Sequence, residues 1–193
     1  MAITRIHTSP TALRRQKQIE DCLYENLLRS SYQSISVADI CRQVGISRKA
    51  FYNYYNDKDA CFCAIIDRLL EEAMLQVSAL PDTTTSLENA VALLDYWKGK
   101  KEFLDIVVRN NLLYFLIIRN MEHVLREDRS TLDLLNTAEV GSDTDILACY
   151  MASQLALMLQ WYSRDFQDPT EEMAKKLLRI IHAPMIDPHD SKI

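Results

Sequence analysis

Ser36 to Lys58, SVADICRQVGISRKAFYNYYNDK, is the stretch that decides the fold. Ser36 reads as a helix N-cap, its hydroxyl placed to accept from the N–H groups that a first helical turn leaves unpaired. Val37, Ile40, Cys41 and Val44 recur at i, i+3, i+4 and i+7, which makes one apolar helix face. Gly45 follows, where two helices meeting at a steep angle need a residue free to take positive φ. Ser47 caps a second helix whose Ala50, Phe51 and Tyr55 turn inward. That helix also carries Arg48, Lys49, Tyr52, Asn53 and Tyr54. The pattern predicts a helix-turn-helix whose second helix can lie in a DNA major groove.

A further regularity runs through the same residues: a hydroxyl side chain, Val, any residue, an acid, Ile and a small residue, then Gly, Ile, Ser, two aromatic pairs and a Lys. Here these are Ser36, Val37, Ala38, Asp39, Ile40, Cys41, Gly45, Ile46, Ser47, Phe51, Tyr52, Tyr54, Tyr55 and Lys58. In order and spacing the segment resembles the TetR family of bacterial transcriptional regulators, of TetR/AcrR-like type. The remainder is similar to that family only in length and all-helical pattern. Cys41 stands where Ala is usual, a conservative core change. Lys49 stands where a small residue or Pro is common and adds a long basic side chain to the front of the second helix.

The resemblance implies an all-α chain with an N-terminal three-helix DNA-binding domain (1–58) and a larger C-terminal helical domain for ligand binding and dimerisation (59–193). It implies a transcriptional repressor that binds a palindromic DNA operator as a homodimer and is released by a small-molecule inducer. It also implies that Ser36, Tyr52, Tyr54 and Lys58 touch the phosphate backbone and that Ser47 belongs to the DNA-binding set. The chemistry of the side chains assigns Arg48, Lys49 and Asn53 to base edges, since Arg suits a guanine and Asn an adenine.

Net charge is −5 over 193 residues, which alone argues against a DNA partner. Its distribution points the other way. Residues 1–58 carry nine Lys/Arg against five Asp/Glu, hence +4, while residues 59–193 carry thirteen against twenty-two, hence −9. Phosphate attraction depends on the local field, because salt screens beyond about 10 Å. Arg14, Arg15 and Lys17 crowd the first turns of the first helix, against the helix dipole, and fit either nearby phosphate or a solvated face.

Three glycines and five prolines favour long helices over strands and turns, and 48% hydrophobic content supports a real core. No apolar run reaches membrane-spanning length, and the N-terminus has no apolar signal region, so a cytoplasmic protein without a membrane partner is expected. Cys22, Cys41, Cys61, Cys63 and Cys149 lack ligand spacing and read as reduced thiols, mostly on apolar faces.

Helices are expected at about Ala12–Ser30, over the two motif helices, and from Lys58 to Leu80, with Phe62, Ile65, Ile66, Leu69, Ala73 and Val77 as the last one's stripe. Tyr32 is expected to close the three-helix core. Ser86–Trp97, Glu102–Val108, Leu112–Arg126, Thr144–Phe166 and Thr170–His182 follow, with a polar loop through residues 139–142 and Pro169 in the first turn of the final helix. The penultimate helix is apolar on most of its circumference, and Ala148, Ala152 and Ala156 line one edge at four-residue spacing. Both features favour a subunit interface through the last two long helices, about 144–182.

Nothing in the sequence points to catalysis. The four histidines are scattered, no pair has metal-ligand spacing, and there is no phosphate-cradling glycine loop and no nucleophile elbow. The expectation is therefore no catalytic residue, no metal and no cofactor. Trp97, Phe103, Tyr114, Met121 and Met151 are candidates to line an inducer pocket, while large side chains at helical spacing equally fit plain core. Arg109, Arg119 and His123 could meet an anionic group or remain solvated. A second reading, a TetR-like nucleoid-associated protein acting mainly through a protein partner, differs by predicting many dispersed DNA sites.

Overall fold

Ser9 caps the first helix by accepting from the Ala12 N–H at 3.3 Å, and Pro10 occupies the opening position, where its missing N–H is harmless. The structure, a computed structural model, describes residues 9–81, 83–126 and 144–181, without the side chains of 124–126, 144–152, 180 and 181. The expected loop at 139–142 lies outside the described residues, as do the side chains of Met151, Cys149, Ala148 and Ala152.

The described residues are helical with no strand. In chain order they form α1 (Pro10–Arg29), a 3-10 turn (Tyr32–Ser34), α2 (Val37–Val44), α3 (Arg48–Tyr52), α4 (Lys58–Ser78) and α5 (Ser86–Gly99). Then come α6 (Lys101–Arg109), α7 (Leu113–Arg126), α8 (Thr144–Ser163) and α9 (Thr170–Ile181). The chain is all-α, as the sequence predicts.

Two units divide it: Met1–Glu72 with Glu102–Asn120, and Ala73–Lys101 with Met121–Ile193. The core of the first is built from fully buried Ile19, Leu23, Leu27, Ile40, Phe51, Phe62, Ile65, Ile66 and Leu104. Phe62 of α4 is its aromatic centre, with Tyr32, Phe103 and Phe115 rings at 5.7, 6.2 and 5.9 Å between centroids. Burying this apolar area is the main force holding the helices together. A bidentate pair adds to it, with Arg119 of α7 donating to both oxygens of Asp67 on α4.

In the second unit α9 packs on α5 and α8, burying Met173, Ala174 and Leu177. Trp161 is fully buried there, its indole N–H donating to the Asp168 carbonyl at 2.9 Å and its ring meeting Phe166 edge-on at 4.8 Å. That arrangement ends α8 at Ser163 and not at Phe166 as expected. Asp165 and Phe166 adopt positive φ, and the Phe166 N–H turns back to the Trp161 carbonyl. Pro169 precedes α9 and does not enter its first turn; its carbonyl accepts from the Met173 N–H.

Candidate nucleic-acid interface

The helix-turn-helix is made by local chemistry in sequence order. Ser36 and Asp39 form a reciprocal cap on α2: the Ser36 hydroxyl oxygen accepts from the Asp39 N–H at 3.2 Å, and the Asp39 carboxylate accepts from the Ser36 N–H at 3.2 Å. The Ser36 hydroxyl also donates to that carboxylate at 2.5 Å, and these hydrogen bonds, with Arg42 at 3.1 Å, hold the Asp39 carboxyl below its usual range. Gly45 ends the helix at φ 72°, and the next N–H, that of Ile46, returns to the Cys41 carbonyl at 3.0 Å. Ser47 then caps α3, accepting from the Ala50 N–H at 3.1 Å.

α3 is shorter than the sequence reading allows. It spans Arg48–Tyr52, Asn53 is its C-cap, and Tyr54 lies in the turn beyond, its N–H bonded to the Phe51 carbonyl. Fully buried Phe51 and Tyr55 anchor it on the inner side, with Ala50 half-buried, as the pattern required. Outside, Arg48 and Lys49 are exposed and make no side-chain hydrogen bond or ion pair with a described residue. Asn53 is exposed, Tyr54 half-buried, and Tyr52 exposed with its ring edge-on to Phe51 at 5.6 Å.

Lys58 sits differently from the other sequence candidates. Its ammonium is half-buried, donating to the carbonyls of Tyr32 and Ile35 at 2.5 and 2.7 Å, and it lies 4.0 Å from the centroid of the Tyr32 ring. Burial pushes its pKa down, with the Asp59 carboxylate opposing. The first unit thus brings Ser36, Ser47, Arg48, Lys49, Tyr52, Asn53 and Tyr54 to one motif and turns Lys58 partly inward behind it.

Interior contacts that brace this motif have no local signature in the sequence. The Tyr55 hydroxyl donates to buried Glu20 at 2.6 Å, and Arg68 of α4 approaches the same carboxyl at 3.3 Å. The Asn110 side chain accepts from the Tyr32 N–H at 2.7 Å, and Arg109 donates to the Leu27 carbonyl at 2.6 Å. The side chains join residues 35, 78 and 82 positions apart, beyond the reach of any periodicity. Each carries polar atoms that burial obliges to pair.

The candidate pocket residues fall in both units. Phe103 is fully buried in the first, and Tyr114, also there, is 68% exposed. Trp97 is buried and Met121 half-buried in the second. Arg109 and Arg119 are committed to the Leu27 carbonyl and to Asp67. Among the described residues no helix is long and apolar enough to cross a membrane.

A capped helix, a left-handed glycine and a second capped helix with a cationic outer face define a helix-turn-helix DNA-binding protein. Residues 27–65 match the family model described as bacterial regulatory proteins, tetR family. That match covers the helix-turn-helix and its flanks, and over this segment the chain is similar to the DNA-binding regulators of the TetR family.

The fold agrees along most of the length. A protein from Syntrophomonas wolfei assigned to the TetR-family transcriptional regulators superposes with a TM-score of 0.61 at 16% identity, over 88% of this chain and 94% of that one. A TetR-family transcriptional regulator from Haemophilus influenzae gives 0.58 at 12% identity, over 89% and 98%. FadR of Thermus thermophilus, a TetR-family transcriptional repressor in complex with lauroyl-CoA, gives 0.51 at 17% identity, over 92% and 98%. A comparison with curated proteins gives no match.

Proposed function

We propose that the protein is a repressor that binds a palindromic operator as a homodimer and leaves it when a small molecule binds its C-terminal helical domain. The observation that carries the DNA half is the pair of exposed cations, Arg48 and Lys49, at the front of a capped recognition helix, neither held by a side-chain hydrogen bond or ion pair among the described residues. With Asn53 they read base edges, whereas Ser36, Ser47, Tyr52, Tyr54 and Lys58 meet the backbone. The Ser47 hydroxyl hydrogen makes no bond among the described residues and is available to a phosphate oxygen. Lys58 contributes its charge while two of its hydrogens hold carbonyls.

The dimer forms through α8 and α9. Ala156, the member of the alanine edge whose side chain is described, is exposed in the single chain and so available to a second copy. A ligand-bound relative, the Thermus regulator with lauroyl-CoA, supports a small-molecule signal and supplies a first probe. In this reading α4, whose residues belong to both units, transmits the signal. Domain limits at 1–58 and 59–193 are proposed as the division of labour between reading and response.

Calorimetry of lauroyl-CoA, and then of shorter acyl thioesters, against free and operator-bound protein tests the proposal. Linkage demands that an inducer bind the operator complex more weakly by the factor it weakens DNA binding, commonly about 5- to 150-fold. Equal affinities for the two forms would exclude that ligand as the inducer.

A further inference from the structure

Tyr32 is gripped at each of its polar groups. Its N–H goes to the Asn110 side-chain oxygen at 2.7 Å, its carbonyl to Lys58, and its hydroxyl to Asp59. Its ring is wedged between the Lys58 ammonium and Phe62. Lys58 also holds the carbonyl of Ile35, the residue immediately before the Ser36 cap of α2. The 3-10 turn containing Tyr32 is therefore the seat on which the first helix of the DNA-binding motif begins.

Asn110 is the one of these partners that lies outside the motif and α4. It stands just past the end of α6, 4% exposed, and its amide nitrogen donates to the Ile106 carbonyl at 2.9 Å. Its position is fixed by the next residue: Asn111 takes φ 56°, and the Leu112 N–H closes back on the Val107 carbonyl at 2.9 Å. Beside it Arg109 donates to the Leu27 carbonyl in the last turn of α1. The α6–α7 corner thus holds both the end of α1 and the start of the turn that follows.

We infer that Asn110 is a positioning residue for DNA reading. It acts through Tyr32 by setting where α2 begins and so the angle at which α3 is presented. Without the acceptor the Tyr32 N–H is left buried and unpaired, and the turn must shift to reach water or another oxygen. That shift carries the Ile35 carbonyl and the α2 cap with it. The inference rests on the protein's reading DNA, not on the nature of the inducer.

The test uses the full chain, with Asn110→Ala and Asn110→Asp compared on one operator recovered from a random DNA pool. Hydrogen exchange at the Tyr32 amide and thermal unfolding are measured alongside. Asn110→Ala should weaken operator binding roughly tenfold and speed exchange at Tyr32 by a similar factor, as loss of a buried partner implies. Asn110→Asp keeps the acceptor oxygen for Tyr32 but sets its other oxygen against the Ile106 carbonyl. It should therefore cost stability yet restore protection of the Tyr32 amide and part of the operator affinity, a rescue that a purely packing role does not predict.

Binding by Asn110→Ala within about twofold of wild type would overturn the inference. So would lost affinity with unchanged exchange at Tyr32, or two variants whose affinity falls only in step with their unfolding temperature. If the wild-type chain selects no DNA at all, it is the regulator reading that fails; normal wild-type binding with an unaffected alanine variant removes the inference alone.

Discussion

The ammonium of Lys58 lies 4.0 Å from the centroid of the Tyr32 ring and donates to that residue's own carbonyl. A cation that the sequence resemblance assigns to phosphate is also an internal strap between the start of α4 and the turn before α2. The two roles have separate signatures. Lys58→Met keeps an apolar side chain of similar length over the ring and removes both hydrogen bonds, so stability should fall by about 1–3 kcal/mol. Loss of a phosphate contact should also reduce the slope of log affinity against log salt by about one. Chemical denaturation and a salt titration read these separately. Unchanged stability would remove the strap, and an unchanged slope would remove the phosphate contact.

Arg48→Ala should behave in the opposite way. Arg48 is exposed, makes no internal bond among the described residues, and opens the recognition helix. Its loss should leave unfolding unaltered, weaken the best operator by about 1–3 kcal/mol and relax preference at one base pair. Affinities for operators mutated at each position measure this. A uniform loss across all of them would move Arg48 from the bases to the backbone.

Gly45 isolates a pure backbone effect. A Cβ placed there meets nothing within 4 Å, so Gly45→Ala creates no clash and adds only the strain of the left-handed conformation at φ 72°. The expected destabilisation is about 1–2 kcal/mol, with Gly45→Asn milder because Asn tolerates this region. Urea unfolding of the two variants decides it, and an alanine variant as stable as wild type would mean that the turn can be made another way.

Glu20 gives stability a particular pH dependence. Burial raises its pKa above the ordinary 4.5, against the lowering effects of the Tyr55 hydroxyl and Arg68. The folded chain therefore takes up this proton before the unfolded chain does as pH falls. Glu20 weighs against folding when ionised, and that penalty is relieved as pH drops through its raised pKa toward 4.5. Glu20→Gln keeps an acceptor for Tyr55 while Arg68 retains Asp21 at 3.2 Å. The variant should be at least as stable as wild type at neutral pH, and its advantage should shrink on acidification. A clear loss of stability at neutral pH would show that the Arg68–Glu20 attraction outweighs burial.

The features legible in the sequence are those fixed within a few residues. Ser36, Gly45 and Ser47 announce their caps and turn because those conformations suit few side chains, and the α4 stripe from Phe62 to Val77 follows helical spacing into the core. The early end of α3 was not legible: Asn53 and Tyr54 continue an acceptable helical pattern, and the turn beyond decides where it stops. Nor was the inward side of Lys58, since a lysine at a helix start looks the same whether it faces carbonyls or solvent. Tyr55–Glu20 and Tyr32–Asn110 depend on which distant segments fold together, and no local periodicity carries that information.

Selection of bound DNA from a random pool by the full-length chain tests the central claim most directly. Two recognition helices related by a two-fold axis should enter successive major grooves about 34 Å apart. The predicted winner is a palindrome with half-site centres one helical turn apart, and its symmetry should be lost in Ala156→Glu, which places a charge on the proposed dimer edge. Enrichment of no sequence, or of a single unrepeated half-site by the unaltered protein, would contradict the account of a dimeric operator-binding regulator.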